Sequence, residues 1–438
     1  MELRKRLDAA AARHGVPGAG IAVWSAGELH EAATGVISKD TGVEATTDAI
    51  FQVGSTTKVW TAALIMQLVE EGKVELDGPV TDYLPEFGLG YDVVVTVRQL
   101  LSHTAGFDGD LFEDTGRGDD CLDAYLAHLH GAGKVHEPGE LFSYCNAGYV
   151  VLGAIVARLR GTTWEQAVRD HLYTPLGVTH AALLGEEAVL FRASAGHMGP
   201  DHVVFPKWQM PRSNAPAGST MCLAPRELVR FGRMILAGGV ADDGTRVLGQ
   251  ETIAAMCEQQ VEVPTVPGLL AGAWGLGFEL LDWGIGHDGG TPGQSTFWRI
   301  IPDRDIVIAM SGNGGDFLGL IDDVALPVLR ELGVDAPGLP VPPAEPEAVD
   351  ATPYLGTFAG PVGTLTVVAE GGGLRVDLDP SELMASLGGV ASSAGYVHHS
   401  GDSFIATEKE GGSHATITFV MRDGVAAFLH NSRAVARA

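Results

Sequence analysis

The spacing of apolar residues predicts mostly helices in the first 240 residues. Between positions 59 and 69 the apolar side chains recur every three or four residues, and Gly72 follows in a position typical of a helix C-cap. Two apolar runs at 18–24 and 29–35 flank a short turn and predict a strand hairpin. Further helices are predicted at 96–101, 121–130, 150–159, 164–172 and 225–238.

The pattern changes to strand spacing after residue 270. Strands are predicted over 274–281, 296–301 and 306–311, followed by a closing helix over 322–332. Prolines then become frequent, which predicts a semi-rigid linker at 336–353. Residues 354–438 alternate short apolar segments with glycine-containing turns, so we expect a small all-β, barrel-like domain there.

Composition and charge narrow the class of protein. The chain has 438 residues, of which 45% are hydrophobic and 19% charged, as in a globular protein with a sizeable core. A net charge of −27 argues against nucleic acid or an anionic membrane as a partner. No secretory signal and no apolar stretch of membrane-spanning length is present, so we expect a cytoplasmic protein.

Neither the cysteines nor the histidines show metal-ligand spacing. The four cysteines are far apart in the sequence and form no CxxC pair, which favours reduced thiols, and no HExxH motif occurs. We therefore expect neither a metal nor another cofactor. The four cysteines are Cys121, Cys145, Cys222 and Cys257.

Candidate chemistry begins at Ser55 and Lys58. Ser55 follows Gly54 at the predicted start of the 59–69 helix, and residues three apart on a helix share a face. A helix N-terminus also favours negative charge, which helps an alkoxide to form. Serine with a nearby amine is the minimal pair for nucleophilic catalysis. Taken alone the pattern is weak, because an N-cap serine followed by a surface lysine is more common.

Two further motifs follow Ser55 and Lys58 along the sequence. Tyr144-Cys145-Asn146 precedes the helix at 150–159, and His287-Asp288-Gly289-Gly290 lies between two predicted strands. With Ser55 and Lys58, these motifs resemble those of the serine β-lactamase and penicillin-binding-protein superfamily, in its class C-like branch. The stretches 97–106, 138–139 and 217–218 also resemble loops of this family. Many members have Lys-Thr-Gly as the third motif, whereas His287-Asp288-Gly289 is similar to esterase-like and peptidase-like members.

The resemblance covers residues 1–335 and implies a fold and a mechanism. The implied fold is α+β, an antiparallel sheet flanked by helices with a helical subdomain at about 80–240. Ser55 would attack an acyl carbonyl, and either Lys58 or Tyr144 would take its proton. A Lys58 ammonium beside Tyr144 would lower the pKa of the phenol and make it a usable base.

The remaining motif residues have supporting roles in this interpretation. Asn146 would hydrogen-bond a substrate amide or orient Lys58. His287 would replace the usual cation, polarising Tyr144 or binding a carboxylate. The backbone N–H groups of Ser55 and Gly290 would hold the oxyanion, and Gly289 and Gly290 would let their strand approach the substrate closely.

The whole chain is similar to stand-alone penicillin-binding-protein-type thioesterases, which release and cyclise nonribosomal peptides and end in a lipocalin-like domain. The resemblance implies a peptidyl thioester or ester substrate, which a carrier protein can present. Arg433 would hold a substrate carboxylate, although a surface arginine is the simpler interpretation. A cyclase needs a dry pocket. Candidate lining residues are Trp274, Phe278, Trp283, Phe297 and Trp298.

Two other functions use the same sequence features. A cytosolic carboxylesterase or a D-amino-acid-specific peptidase would need the same residues and differ only in the acceptor, water or an amine. A non-catalytic binding module is disfavoured, because no structural role requires Ser55, Lys58 and Tyr144 together.

Overall fold

A nine-stranded antiparallel sheet forms the centre of the first part of the chain. The computed structural model describes residues 2–266, 271–360, 363–382, 385 and 390–438. Eight strands follow one another across the sheet, and Gly289–Thr291 adds to the end of one of them, Gln294–Ile301. The order is Glu28–Gly35, Gly18–Ser25, Ile306–Gly312, Gln294–Ile301, Gly284–Gly286, Glu279–Leu281, Ala273–Trp274 and Val261–Glu262.

Helices cover both faces of this sheet, because side chains alternate along its strands. Ile21 packs into the core formed with the first helix, Leu3–Arg13, whereas its neighbour Ala22 packs on the other side with Pro225–Leu236. The remaining α-helices are Thr57–Glu70, Val97–Leu101, Cys121–Leu126, Asn146–Arg160, Trp164–Val168, Thr174–Leu176, Gly185–Ala188, Gln250–Met256, Phe317–Leu320 and Leu326–Glu331.

The helix Thr57–Glu70 lies at the centre of the helical layer. Every residue from Thr57 to Leu68 is buried, so the helix is enclosed on all sides. It packs against Asn146–Arg160, which starts within the Tyr144-Cys145-Asn146 motif. The two helices thus bring the starts of two sequence motifs towards one end of the core.

Eight antiparallel strands after residue 355 close into a barrel. Its interior is apolar, and the ring of Phe419 contacts those of Phe358 and Phe404. The predicted α+β fold and barrel-like C-terminal part are both confirmed. The strands are Gly356–Gly360, Gly363–Glu370, Gly373–Pro380, Ser392–Ser400, Ser403–Glu410, Ser413–Arg422, Val425–His430 and Ala434–Arg437.

The barrel packs against the loop that carries Tyr144. Leu141 forms a small apolar cluster with Phe428 and Ala434, and Arg422 pairs with Glu140. Together these contacts hold one end of the barrel beside the edge of the sheet. Over the described part of the chain, none of the helices combines the length and apolar character needed to cross a bilayer.

Candidate active site

Ser55 lies in a short turn that leads directly into the central helix. The 3₁₀ turn Gly54–Thr56 precedes Thr57–Glu70, and Gly54 has a φ of +53°, which glycine adopts without a steric cost. Lys58 follows in the first helical turn. Its Nζ lies 3.0 Å from Ser55 Oγ and donates a hydrogen bond to the carbonyl of Ala217, 2.7 Å away. The structure therefore brings the first two predicted side chains into contact.

The surroundings of Lys58 disfavour its charge. The side chain is completely buried, and no carboxylate of the described residues forms an ion pair with it. Burial is the main reason that the pKa of Lys58 is held well below its ordinary value, and the nearby Arg433 guanidinium lowers it further. Asp110 opposes this shift only in part. Lys58 is thereby shifted towards the free amine, whose lone pair can accept a proton.

Glycines allow two backbone segments, 53–55 and 289–290, to meet at Ser55. A Cβ on Gly289 would lie 1.9 Å from the carbonyl oxygen of Val53 and 3.1 Å from the Ser55 nitrogen. A Cβ on Gly54 would lie 2.4 Å from the nitrogen of Gly290, whereas one on Gly290 would meet no atom within 4 Å. The N–H groups of Ser55 and Gly290, expected to hold the oxyanion, therefore belong to adjoining segments at an open cleft.

Tyr144 lies between several rings, the Lys58 amine and the Arg433 guanidinium. Its ring stacks on His103 with centroids 4.3 Å apart, and Lys58 Nζ and the Arg433 guanidinium carbon lie 4.8 and 5.2 Å from its centroid. Its Oη is buried beside the Ser55 hydroxyl, but no described residue meets the geometry of a hydrogen bond to it. Burial raises the pKa of the phenol above its ordinary value, although the nearby Ser55 hydroxyl and the Arg433 charge oppose the rise. The expected phenolate is therefore not favoured, because burial outweighs both of these influences.

His287 is buried beside a charged cluster. Arg299, which is fully buried, pairs with Asp288 at 2.7 Å and approaches Glu279 at 3.5 Å. Burial lowers the pKa of His287 to about 3, with the Lys58 charge adding to the effect, so the imidazole is neutral at physiological pH. The expectation that His287 replaces the family's cation is not met, because a buried imidazole next to Lys58 does not hold a proton.

Asn146 and Arg433 are joined through a carboxylate. Asn146 Nδ2 donates a hydrogen bond of 2.8 Å to Asp110 Oδ1, and Arg433 forms a two-pronged pair with the same carboxylate, one contact being 3.0 Å. Both side chains line a cavity that also reaches Ser55. Arg433 is thus a cation beside the candidate site, already paired with Asp110.

One turn of the barrel forms a wall of the site. We refer to residues 430–433, which connect its last two strands, as the barrel turn. His430 Nε2 contacts the carbonyl of Phe142 at 3.0 Å, and the N–H of Ala434 donates to Ser143 Oγ at 3.2 Å. The main cavity has a volume of about 500 Å³. It is lined by Ser55, Phe142, Tyr144, Val263, Pro264, Thr265, Ala271, Trp274, Glu279, His287, Asp288, Gly289, Gly290, Thr416, Thr418, His430, Asn431, Ser432 and Arg433.

Of the five aromatic residues expected to line a dry pocket, Trp274 lines this cavity. Its ring makes an edge contact with His287, with centroids 5.3 Å apart. Phe278 and Trp298 are fully buried in the helical core, and Phe297 and Trp283 pack on the opposite side of the sheet. The last four are therefore core residues.

Three residues of the site were not expected from the sequence. His103 has a φ of +58° and accepts a hydrogen bond on Nδ1 from the N–H of Cys145, which fixes the ring against Tyr144. Asp110 joins Asn146 to Arg433. Arg299 supports the His287 turn. A signal existed for Arg299, since an arginine within the apolar run 297–301 needs a buried partner.

The described residues contain no group of three or more His, Cys, Asp or Glu side chains arranged to hold a metal ion. The groups that do meet at the site are the hydroxyl of Ser55, the amine of Lys58, the phenol of Tyr144 and the imidazole of His287. All four belong to residues that line the main cavity or contact Ser55 directly.

Comparison with known proteins shows which family the chain belongs to. The sequence profile described as Beta-lactamase matches residues 3–325. A protein named Penicillin-binding protein 4 from Amycolatopsis lactamdurans is 43% identical over 367 residues, which cover 81% of this chain and 96% of that protein.

A solved structure is similar over almost the whole length. The crystal structure of SurE is 31% identical and covers 99% of this chain and 97% of its own, with a TM-score of 0.78. A second structure, of SurE with D-Leu, has a TM-score of 0.76. The similarity therefore includes the barrel as well as the sheet and helices. The chain belongs to the serine β-lactamase and penicillin-binding-protein superfamily, as its motifs predicted.

Proposed function

We propose that this protein is a serine acyltransferase that cyclises peptides. It takes a peptidyl chain from a thioester or ester onto Ser55 and passes it to the amine at the other end of the same chain, which releases a head-to-tail macrocycle. The observation that carries the proposal is the contact of Ser55 Oγ with the buried amine of Lys58, 3.0 Å away.

Acylation begins with Lys58 as the base. Because its pKa is lowered, the amine of Lys58 can take the hydroxyl proton as Ser55 Oγ bonds to the substrate carbonyl carbon. The N–H groups of Ser55 and Gly290 hold the resulting oxyanion. When the bond to the leaving sulfur or oxygen breaks, that atom takes the proton back from Lys58 by way of the Tyr144 phenol. Deacylation repeats these steps with the peptide amine as the attacking group.

The other residues position these groups. Tyr144 acts as a neutral phenol that relays the proton, and its unpaired Oη is free to bond the leaving or attacking atom. His287, a neutral imidazole whose Nε2 is also unpaired, helps to orient that atom. Asn146 holds the substrate amide carbonyl or, through Asp110, the barrel turn. Arg433 has N–H groups that Asp110 leaves free, and they hold a substrate oxygen.

One feature supports an amine acceptor, and another supports a D-residue in the substrate. The main cavity lies between the sheet edge and the barrel, where Phe142 and Trp274 exclude water from part of the wall. The similarity to SurE, which has been crystallised with D-Leu, supports a D-residue at the acyl end of the substrate. Since carrier-bound peptidyl thioesters are made inside the cell, we propose that the protein acts in the cytoplasm.

Hydrolysis is the second candidate function. Ser55 remains partly exposed, so water can reach an acyl group attached to it. The same residues would then serve a carboxylesterase or a peptidase that acts on D-amino acids. The two functions differ in whether the product is a ring or a linear acid.

The discriminating experiment uses a linear peptidyl thioester with a D-residue at its C-terminus. We expect mass spectrometry to show the cyclic peptide, formed by wild type and not by Ser55→Ala. A linear acid as the sole product would contradict the cyclase and leave the hydrolase.

Penicillin labelling tests the nucleophile, since a relative is named for penicillin binding. If no covalent adduct forms at Ser55 with either penicillin or a fluorophosphonate, both functions are excluded.

A further inference from the structure

A second cavity lies beside the Ser55 site. It has a volume of about 850 Å³ and an apolar interior, formed by Phe191, Trp208, Met210, Ile37 and Ala188. Charged residues of both signs stand at its rim, including Arg117 and Glu186, which pair at 2.8 Å. An apolar interior with a mixed polar rim is typical of a site for an uncharged, apolar group.

This cavity and a smaller one at Ser55 share a wall residue. The smaller cavity has a volume of about 330 Å³, and its lining includes Ser55, Asn146, Gly290 and Met210. Met210 also lines the second cavity. An acyl chain that extends from Ser55 along the smaller cavity therefore comes to Met210, at the boundary of the apolar space.

The interior of the second cavity is rigidly built. Trp208 Nε1 donates a hydrogen bond of 2.9 Å to the carbonyl of Ser194, and the ring packs on a buried cluster that contains Ile50. Phe191 packs on the same cluster. At the rim, Val189 is 77% exposed, so a large apolar side chain there lacks cover.

We propose that this second cavity binds a bulky apolar side chain of the acyl chain, several residues upstream of the reacting carbonyl. The inference rests on the proposed function. The leaving group and the attacking amine must reach His287, which lines the main cavity and not the smaller one. The upstream acyl chain is then directed to the other side of Ser55, past Met210.

The test is a series of peptidyl thioesters that share one C-terminal D-residue. In one set the chain grows from two to eight residues, and in the other each upstream position carries Leu or Ser. The variants are Val189→Asp, at the cavity rim, and Leu190→Asp as the matched control. Leu190 is 80% exposed and adjacent in sequence, but it does not line the cavity.

We expect one upstream position at which Leu raises kcat/KM about tenfold over Ser, the effect of burying one apolar side chain. Val189→Asp should abolish this preference, Leu190→Asp should keep it, and the shortest substrate should react equally with all three proteins. The inference is overturned if no position shows a preference, or if both variants lose it. It is also overturned if Val189→Asp affects only carrier-presented substrates, which would indicate a protein-docking surface.

A binding measurement separates this inference from the proposed function. Ser55→Ala protein is titrated with the unreactive Leu and Ser peptides, with and without Val189→Asp. Turnover of short substrates without any upstream preference contradicts the second cavity alone. If no peptide is turned over, the proposed function fails, and the titration still decides whether the cavity binds the apolar side chain.

Discussion

The backbone N–H of Tyr144 donates a 2.9 Å hydrogen bond to the carbonyl oxygen of Ser432. Tyr144 belongs to the loop before a central helix, and Ser432 belongs to the barrel turn. The barrel is therefore part of the support for the phenol, and Arg433 follows directly. This contact makes the electrostatics of the Ser55 site depend on the barrel.

The first prediction concerns the pH dependence of Arg433→Met. The Arg433 charge helps to keep Lys58 unprotonated, so its removal raises the pKa of Lys58. Activity that needs the free amine is lost as the pH falls through that pKa. We expect the acid limb of kcat/KM for a short ester to move to higher pH than in wild type.

Arg422→Met is the matched control for this shift. Arg422 is also on the barrel and pairs with Glu140 across the same contact, but it does not line the main cavity. The acid limb of kcat/KM for the Arg422→Met protein should lie at the same pH as that of wild type. An unmoved limb in Arg433→Met would contradict the coupling of Arg433 to Lys58.

A second prediction is a change in stability for Lys58→Met. The unfolded chain has an ordinary lysine that binds a proton at neutral pH, whereas the folded protein disfavours that proton. Because the unfolded state binds more protons, wild-type stability gains from raising the pH towards the ordinary lysine pKa. Urea denaturation at pH 7–10 should show this gain in wild type relative to Lys58→Met, approaching about 1.4 kcal/mol per pH unit. Parallel pH profiles would mean that folded Lys58 is charged.

Alanine should lower the stability of the protein at one of two adjacent glycines and leave it unchanged at the other. A Cβ at Gly289 meets the carbonyl oxygen of Val53, so Gly289→Ala must push the strand away from Ser55. We expect a loss of about 1–3 kcal/mol in unfolding free energy and a fall in kcat of about 10²-fold or more. A Cβ at Gly290 meets no atom within 4 Å, so Gly290→Ala should keep wild-type stability. Equal stability losses would contradict the close approach of this strand.

Removal of the buried guanidinium should destabilise the His287 turn. Arg299→Met leaves Asp288, which is 41% exposed, and the less exposed Glu279 without their shared cation, so we expect a loss of about 1–3 kcal/mol in unfolding free energy. Denaturant unfolding measures the loss of stability, and kcat for a short ester measures the effect on catalysis. The control is Arg375→Met, whose exposed pairs with Asp377 and Glu370 should contribute nothing measurable. Equal stability of the two variants would contradict the role of Arg299.

The local parts of this structure follow from the sequence. Ser55 and Lys58 meet because they are three residues apart on one helix start, which the apolar run at 59–69 already indicates. The barrel strands follow from alternating apolar residues. Tyr144 and His287 could be assigned only from the order of the motifs, since their approach to Ser55 depends on tertiary packing.

The electrostatic state of the site did not follow from the sequence. A lysine beside a tyrosine suggests a phenolate, but burial favours the neutral form of both Lys58 and Tyr144. Asp110 lies in a loop rich in aspartate and glycine, where the chain offers no sign of which carboxylate pairs with Arg433. The contact with Ser432 uses a backbone carbonyl, which every residue carries.

The position of the barrel turn also has a consequence during protein synthesis. A ribosome reaches residues 430–433 almost 290 positions after Tyr144, when the sheet and helices have already been translated. Until then the nascent chain lacks both the Ser432 carbonyl and the Arg433 charge beside Lys58. Ser55 therefore gains its complete surroundings only when the last strands of the barrel have been translated.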